Sequence, residues 1–219
     1  MGAVHNAIDD VVDRLAEIGL SVDMVHRVLA RAEVAARSCT PNHPVNAEGW
    51  FRWANSVCYL REELIPRGWA RARAFNFELV VRPGGMVAIA VTAGDEATGC
   101  GDVLPRTVNP KGAMTVAAVV ANAGPQALFE VDEFRRRTWF LLYHRDEEEI
   151  RAELSLPDNV SPSGYIDSWS ERIIIPPHPL AERLPAAEPQ AVLPIDVPVR
   201  RRAPRAPRTP RTPRTSGTG

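Results

Sequence analysis

Apolar residues in the first third of the chain recur at the spacing of α-helices. Residues 4–18 carry an apolar stripe opposite charged side chains, which predicts an amphipathic helix. A second stripe follows Ser21, a residue type that caps helices, and a third begins near Asn46 and stops before Pro66. Three consecutive helices with short links predict a helical segment over residues 1–66.

The apolar period then shortens from 3.6 residues to 2, which is typical of strands. Residues 75–82 alternate between apolar and polar, a proline and two glycines follow, and residues 87–91 alternate again, so we predict a β-hairpin. Asn109 and Pro110 are residue types that begin helices, and the apolar run 113–123 after them predicts a buried helix. Three further segments predict strands, at residues 138–144, 150–156 and 165–175.

The element order is therefore ααα-ββ-α-βββ, and short connections between strands favour antiparallel pairing. We predict an α+β fold, in which a three-helix segment precedes a mainly antiparallel sheet with helices on one of its faces. In the strand at 150–156, apolar side chains should face the core while Glu153 and Ser155 face solvent. The sheet domain should span residues 67–175 and pack with residues 1–66 as one unit.

Charge and proline are concentrated at the end of the chain. The formal net charge is −1, but residues 200–219 contain seven arginines and no acid, and residues 1–175 carry −6. Eleven of the twenty prolines lie in the last 44 residues. Such a segment buries too little apolar surface to offset the entropy of ordering it. We therefore predict a proline-rich linker over 176–199 and a disordered basic tail over 200–219.

The tail predicts contact with nucleic acid or with an acidic protein partner. In an extended polyproline conformation, arginines at every third residue project from one side and can donate hydrogen bonds to phosphates. The tail has no aromatic residue, so we expect no sequence-specific reading of bases. Solubilising the protein, or folding back onto the acidic domain, are the alternative roles. The seven candidate contact residues are Arg200, Arg201, Arg202, Arg205, Arg208, Arg211 and Arg214.

A glycine-containing loop over residues 99–112 is the segment that best suits a small binding site. It combines cations, including Lys111, the only lysine of the chain, with the predicted start of a helix. Backbone amides at a helix N-terminus favour anions such as phosphate or carboxylate. The alternative is a surface loop whose cations are solvated. The candidate anion-binding residues are Asp102, Arg106, Asn109 and Lys111.

Known catalytic and cofactor motifs do not occur in the sequence. It has no phosphate-binding loop, no nucleophile elbow, no His-Glu-x-x-His pair and no Cys-x-x-Cys. Cys39 and His43 are suitably spaced for a metal, but zinc needs four ligands and only these two lie close in sequence. We therefore expect neither a metal nor a cofactor.

The tryptophans could either pack in the core or stack on bases. Trp50 and Trp53 share the apolar face of a predicted helix, and Trp139 lies in a predicted central strand, so we expect core packing for these three. The apolar pattern does not decide whether Trp69 and Trp169 pack in the core or stack on bases.

These observations favour a non-catalytic binding protein of the cytoplasm whose tail contacts nucleic acid or an acidic partner. One alternative is a small enzyme or a nucleotide- or anion-binding protein that uses the 99–112 loop; another is an assembly protein tethered by the tail. Three sparse cysteines and the lack of a signal sequence favour a reducing compartment. No window approaches the roughly 20 apolar residues of a membrane span, so we expect no membrane partner.

Overall fold

The computed structural model describes residues 2–124 and 136–180. Within them, four α-helices accompany one seven-stranded sheet, and the predicted α+β class is confirmed. The helices are α1 (Ile8–Ile18), α2 (Val22–Ala36), α3 (Ala47–Leu64) and α4 (Ala113–Ala123). The strands are β1 (Ala3–His5), β2 (Ala70–Ala74), β3 (Phe77–Val81), β4 (Val87–Ala93), β5 (Arg137–Arg145), β6 (Glu149–Asn159) and β7 (Ser168–Pro179).

The sheet is mixed, in the order β1-β7-β6-β5-β4-β3-β2. Four of its six pairings are antiparallel, whereas β1–β7 and β4–β5 are parallel. The β4–β5 pairing is parallel because α4 lies in the long connection between these strands, and a parallel pair requires such a crossover. The predicted antiparallel majority is therefore present, with one internal parallel pair beside it.

Helices cover both faces of the sheet, so the expectation that all pack on one face is wrong. One core cluster joins α1, α2 and α3 to sheet residues such as Val91 and Leu141. The second, on the opposite face, joins Val119 of α4 to Leu142. The crossover carries α4 to the face that the N-terminal helices leave uncovered, and the 94–108 loop covers part of that same face.

Two helices begin later in the chain than the sequence predicts. Val4 was expected to start the first helix, but it lies in β1 and pairs with Arg172 of β7, and α1 begins only at Ile8. Asn109 was expected to cap the fourth helix, but the N-cap is Gly112. The expected burial of α4 is also only partial, because Val120 is exposed.

Strand boundaries differ from the pattern at three places. β2 was not predicted, and Phe75, expected in a strand, lies in the β2–β3 turn at a φ of 55°. β7 continues to Pro179, past the boundary expected at residue 175. Glu153 and Ser155 are fully buried rather than solvent-facing.

No helix within the described ranges has the length and apolar character needed to cross a bilayer.

Candidate functional site

A cavity of about 700 Å³ lies at the carboxyl end of β4. Only two residue pairs, Val80 with Ile89 and Val81 with Ala88, join β3 to β4. The cavity opens where β3 no longer pairs with the rest of β4. In place of a β3 donor, Trp53 of α3 donates its indole N–H to the Val91 carbonyl, at 3.1 Å. The volume is in the usual range for small-molecule sites.

Several helices, strands and loops contribute to the cavity wall, which combines aromatic rings with polar and charged groups. Aromatic side chains come from α3, the start of β3 and β5, and hydroxyl and amide groups come from β4, the loop after it and α4. The aromatic lining residues are Trp50, Trp53, Phe77, Phe140 and Tyr143. Eight of the nineteen lining residues are polar or charged, so the wall offers both ring surface and polar groups to a small organic molecule.

Lys111 lies in the wall between the loop and α4. Its backbone N–H donates to the Gly164 carbonyl at 2.7 Å, and its ammonium Nζ donates to Thr92 Oγ1 at 2.6 Å. Burial lowers the pKa of Lys111 from its ordinary 10.5 to about 8. Among residues 2–124 and 136–180, no carboxylate lies within 4.0 Å of this ammonium.

Arg52 is a second cation in the wall, but its charge is already balanced. Its Nε donates to buried Glu33 at 2.7 Å, and its Nη2 donates to Glu48 at 2.5 Å. Burial of Glu33 opposes its ionisation, but hydrogen bonds from Arg52 and Arg37 outweigh this and keep its pKa below the usual range. Lys111 is therefore the cavity cation that retains charge for a ligand.

A buried ion pair holds the loop that leads to Lys111. Arg172 of β7 donates through Nε and Nη2 to Glu153 of β6, at 3.0 and 2.6 Å, and both side chains are fully buried. The same guanidinium donates to the carbonyls of Cys100 and Val103, at 2.9 Å each. Glu153 also accepts the N–H of Gly99, at 2.9 Å. Loop residues 99–103 are thereby fixed to the sheet, which explains why polar residues predicted to face solvent are buried.

The structure brings two of the four predicted anion-binding residues together. Asn109 and Lys111 both line the cavity. Arg106 stacks its guanidinium over the Tyr165 ring, 4.5 Å from the centroid, and its backbone N–H donates to Asp95. Asp102 lines a separate crevice of about 20 Å³. Neither Arg106 nor Asp102 is part of the cavity lining.

Sequence reasoning missed most of the cavity wall. Trp50 was expected in the core, but it is 60% exposed and lines the cavity. Trp53 is partly buried, whereas Trp69, Trp139 and Trp169 are buried. Thr92 is an ordinary strand residue in the sequence, and no signal there connects it to Lys111.

The Cys39–His43 spacing does not produce a metal site in the described part of the chain. His43 accepts the backbone N–H of Thr40 at 3.0 Å through Nδ1. No group of three His, Cys, Asp or Glu side chains that could hold a metal occurs within residues 2–124 and 136–180.

The predicted linker and basic tail fall almost entirely outside the described residues. This holds for all seven tail arginines, so contact with nucleic acid or an acidic partner stays a prediction. The seven are Arg200, Arg201, Arg202, Arg205, Arg208, Arg211 and Arg214.

Comparison of the chain with protein-family models, curated proteins and solved structures finds no match.

Proposed function

We propose that the protein binds a small aromatic anion in the cavity at the end of β4, with Lys111 contacting the anionic group. One observation carries this proposal: the half-buried ammonium of Lys111 lines a cavity that has aromatic residues in its wall, and no carboxylate of the described residues pairs with it. The proposal refines the sequence-based expectation of an anion site, and it replaces Asp102 and Arg106 with residues of the cavity wall.

The electrostatics of Lys111 explain why the ligand should be an anion. A buried charge without a counter-charge costs free energy, which a bound carboxylate or phosphate would offset. Binding should therefore raise the pKa of Lys111 from about 8 towards its ordinary value, and the protein should take up protons when it binds near pH 8.

The aromatic wall explains why the ligand should also be flat and apolar. Trp50, Trp53 and Phe77 provide ring surface that an aromatic ligand can cover, and the fully buried Phe140 stacks against Phe77. Ring pairs contribute about 0.5–1.5 kcal/mol beyond the burial of apolar area. Inorganic phosphate, which cannot use these rings, should bind much more weakly than an aromatic carboxylate.

Isothermal calorimetry with three aromatic anions tests the proposal: 4-methylbenzoate, indole-3-acetate and adenosine monophosphate. At least one should bind saturably at one site per chain, and Lys111→Met should abolish that binding. Arg137→Met is the matched control, because it removes an exposed cation that does not line the cavity. Equal affinity for wild type and Lys111→Met would refute the role of Lys111, and absence of binding by all three would refute the proposal.

A second candidate function, contact with nucleic acid through the tail, is supported by the charge distribution of the sequence. Residues 200–219 carry seven arginines and no acid, while residues 1–175 carry −6. Deleting 200–219 should abolish binding to duplex DNA. If all seven arginines contact phosphates, the logarithm of the binding constant should fall with that of salt concentration at a slope of about −6. Binding that survives the deletion would exclude the tail as the contact.

A further inference from the structure

We propose that Lys111 forms a covalent imine with an aldehyde or ketone group of a ligand bound in this cavity. The inference rests on the proposed function in one respect, namely that an aromatic molecule occupies the site. It adds a reaction and a substrate class, aromatic carbonyl compounds, to that binding function.

The surroundings of Lys111 suit a nucleophilic amine. An ammonium paired with a carboxylate is held in its protonated form, whereas Nζ of Lys111 contacts the hydroxyl of Thr92 at 2.6 Å. A neutral amine that donates one N–H to this hydroxyl retains a lone pair for attack. The backbone of Lys111 is fixed by its bond to Gly164, so the amine is held at the cavity wall.

Charged and titratable groups from three other elements share the cavity. Arg52 of α3 is a cation and disfavours a second positive charge nearby, while Glu78 of β3 is paired with Arg61 at 2.7 Å. Tyr143 of β5 stays protonated, because burial raises its pKa to about 12. The Glu78 carboxylate is thus paired with Arg61 and does not stabilise the Lys111 ammonium. Burial therefore remains the main influence on the pKa of Lys111.

Burial increases the reactive fraction of the amine. With a pKa of about 8, roughly a quarter of Lys111 is neutral at pH 7.5, against roughly 0.1% for a lysine with the ordinary value of 10.5. The neutral form is the nucleophile, and desolvation in an apolar pocket is an established way to activate lysine.

The reaction balances without an external oxidant or reductant. The Nζ lone pair forms a bond to the carbonyl carbon, and the carbonyl oxygen takes up a proton to give a carbinolamine. The C–O bond then breaks as the C=N bond forms. The oxygen leaves as water with the two hydrogens that the neutral amine supplied.

Borohydride trapping with 4-methylbenzaldehyde tests the inference, because this probe presents an aldehyde on an aromatic ring and has no anionic group that would pair with Lys111 and keep it protonated. Reduction of the imine leaves a secondary amine, and the protein gains the mass of the probe less one oxygen atom. Lys111 is the only lysine in the chain, so peptide mapping needs to separate it only from the N-terminal amine. We expect modification at Lys111 in the folded protein at pH 7.5, at least about tenfold faster than in urea-unfolded protein.

Two controls distinguish a specific imine from general amine reactivity. Lys111→Arg keeps a cation but cannot form an imine, so it should lose trapping. Excess 4-methylbenzoate, which has no aldehyde or ketone group and forms no imine, should compete with the probe and slow trapping in wild type.

Each failure has a separate meaning. Modification no faster than in unfolded protein, while 4-methylbenzoate still binds, would overturn the imine and leave the anion-binding function standing. Absence of both trapping and 4-methylbenzoate binding would overturn the imine, and would refute the cavity function as well if the other two anions also fail to bind.

Discussion

Replacing Lys111 with methionine should stabilise the protein at neutral pH, although it removes a hydrogen bond. Methionine has a similar length and no charge. The difference between a pKa of about 8 and the ordinary 10.5 corresponds to a burial cost of about 3 kcal/mol for the ammonium. The substitution also removes the bond to Thr92, worth about 1 kcal/mol. We therefore expect the free energy of unfolding of Lys111→Met to exceed that of wild type by about 2 kcal/mol at pH 7.

The pH dependence of this difference identifies its cause. Below pH 8 the lysine is protonated in both the folded and the unfolded chain. The folded state is therefore destabilised by the full free-energy cost of burying the ammonium. Between pH 8 and 10.5 the unfolded chain retains the proton and the folded chain has released it, so wild-type stability rises with pH relative to Lys111→Met. From pH 7 to pH 9.5 the advantage of the variant should shrink by about 2 kcal/mol.

Urea unfolding of both proteins at these two pH values, followed by tryptophan fluorescence, measures the effect. The two proteins differ only at residue 111, so the difference between their free energies of unfolding isolates Lys111. A variant less stable than wild type at pH 7, or a difference that does not change with pH, would refute the conclusion that partial burial of the Lys111 ammonium destabilises the folded protein.

Three further substitutions and one control, Arg27→Met, test the scaffold by urea unfolding. Arg172→Met leaves the Glu153 carboxylate buried without its cation and should lower the free energy of unfolding by about 3–5 kcal/mol. Arg27→Met, which removes the cation of an exposed ion pair, should change it far less. Similar losses for both variants would contradict the role of burial. Gly99→Ala should cost about 1–2 kcal/mol because Gly99 has a φ of +78° and its Cβ would approach Arg151, and an unchanged stability would argue against the loop geometry. Phe75→Gly should raise stability by about 1 kcal/mol because exposed Phe75 has a φ of 55°; a loss would show that its side chain makes a stabilising contact.

The sequence predicts the elements that periodicity and capping define. Ser21 accepts the N–H of Met24 and begins α2 as expected, and Gly19 ends α1 in the left-handed conformation. The β3–β4 hairpin follows its alternating pattern with glycines in the turn. These features depend on neighbouring residues, which are visible in a single sequence.

Long-range pairing decides the features that the sequence could not predict. Val4 has an apolar pattern that fits a helix, but β7 pairs with its backbone. Glu153 alternates as an exposed residue would, and its burial requires Arg172 and a covering loop. At the cavity, the sequence singles out Asn109 and Lys111, whereas Thr92 joins them only through folding.

The pKa of Lys111, with and without a ligand, tests the central claim most directly. Because the chain has one lysine, labelling with ¹³C-lysine gives a single Cε signal whose shift can be followed with pH by NMR. We predict an apparent pKa of about 8 for the protein alone, and a rise when 4-methylbenzoate saturates the cavity. An apparent pKa near 10.5 that does not respond to 4-methylbenzoate, indole-3-acetate or adenosine monophosphate would contradict the claim.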